Sequence, residues 1–335
     1  QENINDYAPT AINSAGTQRL AAGSRIVGSK LGRNAIYVWT DTSLFTMRFV
    51  GTPFTFAYEQ VGTNCGLLGK NAAVEVDGAA YWMSDNGFFR YTGRLESMQC
   101  LVEDYVFDDL NTTSNELVYC GINNLFGEIT WFYPTSTSNT NNRSITYNYL
   151  DSTRERPIWF TNASSLYQRS TWADSAVFGL PHATKYDAGD DASFDVVGNT
   201  DGVSIYFEHE TGVNQQEAGV AAVAIPASIT SGDYDITQDQ REGVSFRGDG
   251  EFMMRISRII PDFVSQSEDV IIKLDLRDYP SDAATTQTYT STTSTNFIDT
   301  RARARQIALT ISNTAVDSSW KLGTFRLDVH SGGRR

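Results

Sequence analysis

The chain has 335 residues, 40% apolar and 20% charged, with 26 Lys and Arg against 40 Asp and Glu and a net charge of −14. Its 6 Trp, 16 Tyr and 18 Phe supply enough core to exclude intrinsic disorder. The acid excess argues against a face that wraps nucleic acid through its phosphates, and no apolar run approaches the ~20 residues of a membrane-spanning helix.

Asn, Ser, Thr, Asp and Gly punctuate the chain every ten or so residues, and the runs between them are rich in Val, Ile, Tyr, Phe, Trp and Thr, which predicts strands joined by turns. Asn34–Thr40 and Ser43–Val50 read as a hairpin across Asp41-Thr42. Gly78–Ser84 and Phe88–Thr92 read as a second across Asp85-Asn86-Gly87, where Asn and Gly tolerate positive φ. Gly127–Tyr133 and Arg143–Leu150 form a third around the polar loop Pro134–Asn142. Helical periodicity is confined to one turn near Val102–Leu110 and a stretch at Gln215–Ala224.

Trp39, Trp82, Trp131 and Trp172 recur at intervals of 43, 49 and 41 residues, the first three each on a strand that runs into a polar turn. A period of ~40–50 residues with about four strands is that of β-propeller blades; the alternative is an irregular β-sandwich in which the four Trp fall at similar intervals by accident. Three or four blades fit before residue 212. The propeller is therefore expected to be partial, and with neither an initiator Met nor a signal peptide the chain reads as a piece of a longer polypeptide.

Beyond the acidic stretch Asp187–Asp201, residues 213–335 hold longer runs: Phe252–Phe263, Asp269–Asp278, Thr286–Asp299, Arg301–Asn313 and Lys321–Val329. No helix is needed to connect them. The expectation is an all-β chain, a partial propeller over 1–212 followed by an antiparallel sandwich-like domain over 213–335. Within Arg301–Asn313, Arg301, Arg303 and Arg305 share one strand face, which Ile307, Leu309 and Ile311 continue as an apolar one. This row is the candidate interface. It can meet carboxylates of a neighbouring subunit, pair within the subunit with Asp275 and Asp278, or contact phosphates.

Chemical motifs are scarce. His182, His209 and His330 form no ligand or triad pattern, and no nucleophile elbow or phosphate-binding loop occurs. Glu103-Asp104, Asp108-Asp109 and Asp190-Asp191 could hide a glycosidase pair, though acidic turn-rich segments are more often solvated surface. Asp187, Asp190, Asp191 and Asp195 with Gly189 could hold Ca²⁺ without EF-hand spacing; a plain acidic loop is the simpler reading. Cys65, Cys100 and Cys120, an odd number at spacings of 35 and 20, match neither a disulfide framework nor a zinc site, and no cofactor is expected. Three sequons, at Asn111, Asn142 and Asn162, are no more than an Asn/Ser/Thr-rich chain produces by chance.

The segments Val38–Leu44 (VWTDTSL), Ala80–Met83 (AYWM), Val106–Asn111 (VFDDLN), Ile129–Thr135 (ITWFYPT), Tyr147–Asp151 (YNYLD) and Arg301 through Arg335 (RARARQ…WKLG…RLDV…GGRR) stand in an order that resembles the tail nozzle, or packaged-DNA-stabilisation, proteins of short-tailed bacteriophages. The likeness spans roughly 20–160 and 250–335. Ala304 stands where that family has Gly, a change harmless in a strand. The resemblance implies a virion tail protein assembled in the host cytoplasm. It implies a homohexameric ring that contacts the tail adaptor and the fibre or needle proteins. It also implies a lumen through which genomic DNA passes without sequence-specific binding, and no catalysis. An acidic balance suits a wall along which DNA slides. The rival classes are a tailspike-like glycan hydrolase using a carboxylate pair and a lectin-like propeller.

Overall fold

A computed structural model of the chain describes residues 8–10, 13, 15–51, 54–163, 167–187, 203–216, 221–236 and 252–334. The chain is all-β, with 4% helix. It divides into two compact units, 1–210 and 211–335, each with its own apolar core.

In the first unit, β1 (Ile26–Leu31), β2 (Ile36–Thr40), β3 (Ser43–Gly51) and β4 (Thr55–Thr63) form an antiparallel meander. β5 (Ala73–Val76), β6 (Ala79–Ser84), β7 (Gly87–Tyr91) and β8 (Leu95–Met98) form the next. Asp77 and Gly78, at φ 52° and 86°, make the two-residue turn that joins β5 to β6. A short helix α1 (Glu103–Phe107) and a 3-10 turn (Thr112–Leu117) lead into β9 (Tyr119–Asn123), β10 (Glu128–Tyr133), β11 (Arg143–Asn148) and β12 (Trp159–Asn162), the third four-stranded meander. β13 (Thr171–Ala173), β14 (His182–Asp187) and β15 (Val203–Glu208) make a three-stranded fourth. The first strands of successive sheets, β1, β5, β9 and β13, lie side by side, the propeller-like arrangement.

The tryptophan repeat is built into this succession. Trp39, Trp82 and Trp131 occupy the second strand of the first, second and third sheets, and all three are fully buried. Each stitches one sheet to another. Trp39 meets Trp82 edge-on at 5.5 Å, and Phe88 of the second sheet packs 5.0 Å from Trp131. The Trp82 indole N–H donates to Cys65 O (2.9 Å) and that of Trp131 to Ala72 O (3.0 Å), so each ring is both packed and satisfied. Trp172 departs from the pattern. It lies on β13, the first strand of its sheet, and stacks 5.8 Å from Phe132 of the third sheet.

The second unit opens with β16 (Asn214–Gln215) and β17 (Val223–Ala224), which pair with each other; the helix expected over Gln215–Ala224 is therefore replaced by strand at both ends. β18 (Ala227–Thr230), β19 (Phe252–Ile260), β20 (Phe263–Gln266), β21 (Val270–Arg277), β22 (Thr285–Ser291), β23 (Ile298–Ala304), β24 (Gln306–Asn313), β25 (Trp320–Leu322) and β26 (Arg326–Arg334) complete it. The sheets run β18-β24-β21-β22 and β23-β19-β26, with β20 paired to β25. Strict alternation on β21 puts Val270, Ile272, Leu274 and Leu276 inward against Met254 and Ile256 of β19 and Ala302 and Ala304 of β23. The register shift between Ile256 and Arg258 brings Ile259 back to the core, as one extra residue does in a strand.

Cys65, Cys100 and Cys120 are buried free thiols. Burial pushes Cys65 and Cys100 up to about 11 and raises Cys120 strongly as well. Ellman's reagent at pH 8 is therefore expected to modify none of them in the folded protein and all three in denaturant. A rapidly reacting native thiol would contradict the burial.

Candidate functional site

The third sheet of the first unit has two unlike faces. Ile129, Trp131 and Tyr133 of β10 and Ile145 and Tyr147 of β11 form the core side. The alternate residues Glu128, Thr130 and Phe132, with Ser144 and Thr146, face the other way. Thr130 and Thr146 are cross-strand partners whose hydroxyls meet at 2.8 Å. The polar face closes against residues of the fourth sheet and its flanks around a cleft of about 90 Å³. Gly121 makes that approach feasible: a Cβ there would sit 2.4 Å from Trp172 Cγ. The Trp172 indole N–H donates to Ile122 O (2.6 Å) and ties the two sheets at the cleft floor.

Two carboxylates meet here. Glu128 stands directly across the ladder from Asn123, and the Asn123 side-chain NH₂ donates to Glu210 Oε1 at 2.8 Å. The Asn123 amide is oriented by a second bond, because the Leu125 N–H donates to its Oδ1 at 3.2 Å. Burial first, and then the charge of Glu210, pushes Glu128 up to about 7. Glu210 is also raised by burial, but the Asn123 donor favours its ionised form. The two carboxyls thus differ in environment, Glu210 having a donor that favours its charged form and Glu128 being pushed further up by the charge of Glu210. Glu210 sits at φ 61°, the left-handed region, an unfavourable conformation for a non-glycine residue and one found at functional positions.

Around the pair lie Tyr167, Trp172, Phe132, Phe160 and His209. His209 is lowered to about 3, by burial first and by the Arg169 charge second, so it stays neutral and accepts from Arg169 Nε at Nε2 (2.9 Å). Arg169, 4% exposed, stacks 3.8 Å over the Phe207 ring. The site therefore holds two carboxyl groups, a fixed amide and aromatic faces. Among the described residues no group of three His, Cys, Asp or Glu could hold a metal ion.

The carboxylate pairs expected from sequence lie elsewhere. Glu103 and Asp104 start α1, with Glu103 raised by burial and then by Asp104, and Asp109 accepts from Ser136 Oγ (2.7 Å). Asp190-Asp191 and the candidate calcium loop lie outside the described residues, apart from the backbone of Asp187 on β14. Glu128 and Glu210 were not singled out, because they are 82 residues apart and on different elements. The one local signal is a Glu beginning a strand on the face opposite Trp131.

The arginine row is divided. β23 ends at Ala304, Arg305 forms a bend, and β24 begins a strand in the other sheet. The continuous cationic-to-apolar face is thus corrected: Ala302 and Ala304 are inward before the bend, Ile307 and Ile311 after it, and the parity shifts by one at Arg305. Arg301 and Arg303 remain exposed, whereas Arg305 lies 5.1 Å from the Tyr279 ring. In register, Arg303 stands opposite Arg255 and Arg255 opposite His330, and Arg303 donates to Gly332 O (3.2 Å). The suggested partner Asp275 belongs to the other sheet, where it accepts from Thr286.

No protein-family model and no curated protein matches the chain. Among solved structures it is similar to an exo-β-1,3-galactanase from Phanerochaete chrysosporium, seen with β-1,3-galactotriose. The identity is 10%, the match covers 88% of this chain and 77% of that one, and the TM-score is 0.26. It is similar also to a glycoside hydrolase, at 9% identity, 88% and 82% coverage and TM-score 0.25. Both neighbours are named as glycan-cleaving enzymes, and this stands against the expectation that no reaction is catalysed. Likeness at this TM-score transfers neither substrate nor residue roles. Among the described residues no helix is long and apolar enough to cross a membrane.

Proposed function

We propose that the first unit carries a glycan-hydrolysing site at Glu128 and Glu210. The observation that carries the reading is the carboxyl pair, Glu128 raised to about 7 and Glu210 bonded by the Asn123 amide, beside exposed aromatic surface at Phe160. Glu128 gives its proton to the glycosidic oxygen as the C–O bond breaks, and Glu210 takes a proton from the water that attacks the anomeric carbon. A 90 Å³ cleft has the volume of about three waters, so the sugar ring sits at its mouth, on Phe160, with the leaving oxygen reaching in. Incubation with a panel of bacterial polysaccharides, read by reducing-end release, tests this. Release by the parent protein, and release lowered about a thousandfold in Glu128→Gln, is expected; no release and no binding across the panel would sink the reading.

A second reading is favoured by the order of the six segments from Val38 to Arg335. On that reading the chain is a tail nozzle component, six copies of which form a ring that continues the DNA channel and meets adaptor and fibre proteins, with Arg301 and Arg303 facing a neighbouring subunit. A glycan-cleaving cleft on a tail protein is compatible with it. Axial class averages of the purified assembly are expected to show sixfold symmetry, and Arg301→Gln/Arg303→Gln/Arg305→Gln to leave folded monomers. A monomeric parent protein at micromolar concentration, or a triple variant that assembles like the parent, would count against the ring as drawn.

A further inference from the structure

The core side of the β9–β12 sheet, away from the carboxylate cleft, borders a second and larger cavity of about 470 Å³ between β8 and the loop that leads into β12. Its charges are lopsided. Arg90, Arg94 and Arg154 line it against one carboxylate, Glu96, leaving two positive charges in excess. Arg90 and Glu96 are direct cross-strand partners on β7 and β8 and form an ion pair. Arg94 and Arg154 make no ion pair among the described residues. All three line the same cavity as Glu96, whose carboxyl is held below the usual range by Arg90 first, with Arg94 and Arg154 adding to the effect.

The loop presents donors as well. Its backbone is pinned by the reciprocal bonds Thr153 N–H to Arg156 O (3.1 Å) and Arg156 N–H to Thr153 O (3.2 Å). The Ile158 N–H donates to Ser152 Oγ (2.7 Å) and the Arg156 N–H to Thr153 Oγ1 (3.1 Å). A hydroxyl whose oxygen is already accepting keeps its own proton to give. Ser152 and Thr153 thus line the cavity as donors, beside guanidinium forks that match the oxygens of a phosphoryl group. The only carboxylate among these groups is occupied by Arg90. The volume falls in the ~300–1,000 Å³ range of small-molecule sites and exceeds what an inorganic anion fills. An excess of two positive charges complements a phosphate monoester, which carries close to two negative charges at neutral pH.

We propose that this cavity binds a phosphomonoester carried on a sugar-sized molecule. The site shares no residue with the Glu128–Glu210 cleft and stands whether or not that cleft is catalytic. Calorimetric titration with glucose 6-phosphate, with glucose and with inorganic phosphate tests it. Glucose 6-phosphate is expected to bind and glucose not. Affinity is expected to rise between pH 5 and pH 7 as the second phosphoryl proton leaves near pH ~6. Arg94→Gln/Arg154→Gln should weaken binding roughly a hundredfold, about tenfold per charged contact, with an unchanged melting curve. Arg154→Gln alone, in an exposed loop, should weaken it about tenfold and serves if the double variant does not fold. Glu128→Gln should leave the affinity unchanged. No binding at millimolar ester, equal binding by the arginine variants, or equal binding of glucose overturns the site; inorganic phosphate binding as tightly as the ester overturns the phosphorylated-sugar assignment.

Discussion

Glu128→Gln is expected to reduce glycan cleavage by about a thousandfold, the scale of a lost general acid, while making the protein more stable above pH 7. The two effects share one cause. Glu128 has its pKa raised by the fold, from 4.5 to about 7. A raised carboxyl binds its proton more tightly folded than unfolded. Its contribution is therefore fully present below about pH 4.5 and is lost as pH rises towards 7. Gln removes that loss. The expected gain at pH 8 is roughly 1–3 kcal/mol once solvent screening of a half-buried group is allowed for, and the gain at pH 4 is close to zero. Urea unfolding of the parent and the variant at both pH values measures it. A variant less stable than the parent at pH 8 would show that Glu128 is ionised and satisfied in the fold, and would remove the acid from the mechanism. Cleavage by the parent protein should likewise fall as pH rises through 7, because the acid form is the active one.

Trp131→Ala is expected to cost the first unit about 4 kcal/mol, with a further ~1 kcal/mol for the bond to Ala72 O. Trp131 is fully buried between Phe88 and Trp159, so its loss opens a cavity between sheets rather than at an edge. The second unit has a separate core, and its unfolding transition should stay where it is. Calorimetry resolves the two; a variant in which both transitions move together would contradict independent cores. Trp39 supplies the internal control. It holds the same strand position and is as deeply buried, but its indole nitrogen has no hydrogen-bond partner among the described residues. Trp39→Phe removes an unsatisfied donor, whereas Trp131→Phe removes one that is bonded to Ala72 O, a carbonyl that keeps its bond from the Met83 N–H. The first should therefore be the milder by about 1 kcal/mol.

Local rules explain why so many elements were legible. The Asp41-Thr42, Asp85-Asn86-Gly87 and Pro134–Asn142 turns fall where composition places them, since turn chemistry acts over two to four residues and needs no tertiary partner. The spacing of Trp39, Trp82 and Trp131 marked three repeats because each sheet must bury the same face against a neighbour. Trp172 kept the interval without the role. Its ring is held by Gly121 and Phe132 of the third sheet, and no spacing rule contains that contact.

The sequence by itself determined the all-β class and the hairpins, which follow from strand-forming runs and turn residues within a dozen positions, and the three equivalent tryptophans, which follow from a repeat of 43 and 49 residues. Tertiary structure alone decided the chemistry. It brought Glu210 to the side chain of Asn123 across 87 residues, with Asn123 opposite Glu128 on the ladder, and half-buried Glu128 so that its carboxyl is raised. It also bent the chain at Arg305, turning one expected strand into two on different sheets. The physical reason is the same in both cases. A carboxyl's proton affinity and a strand's choice of sheet depend on what lies within a few ångströms in space, and those neighbours come from distant parts of the chain.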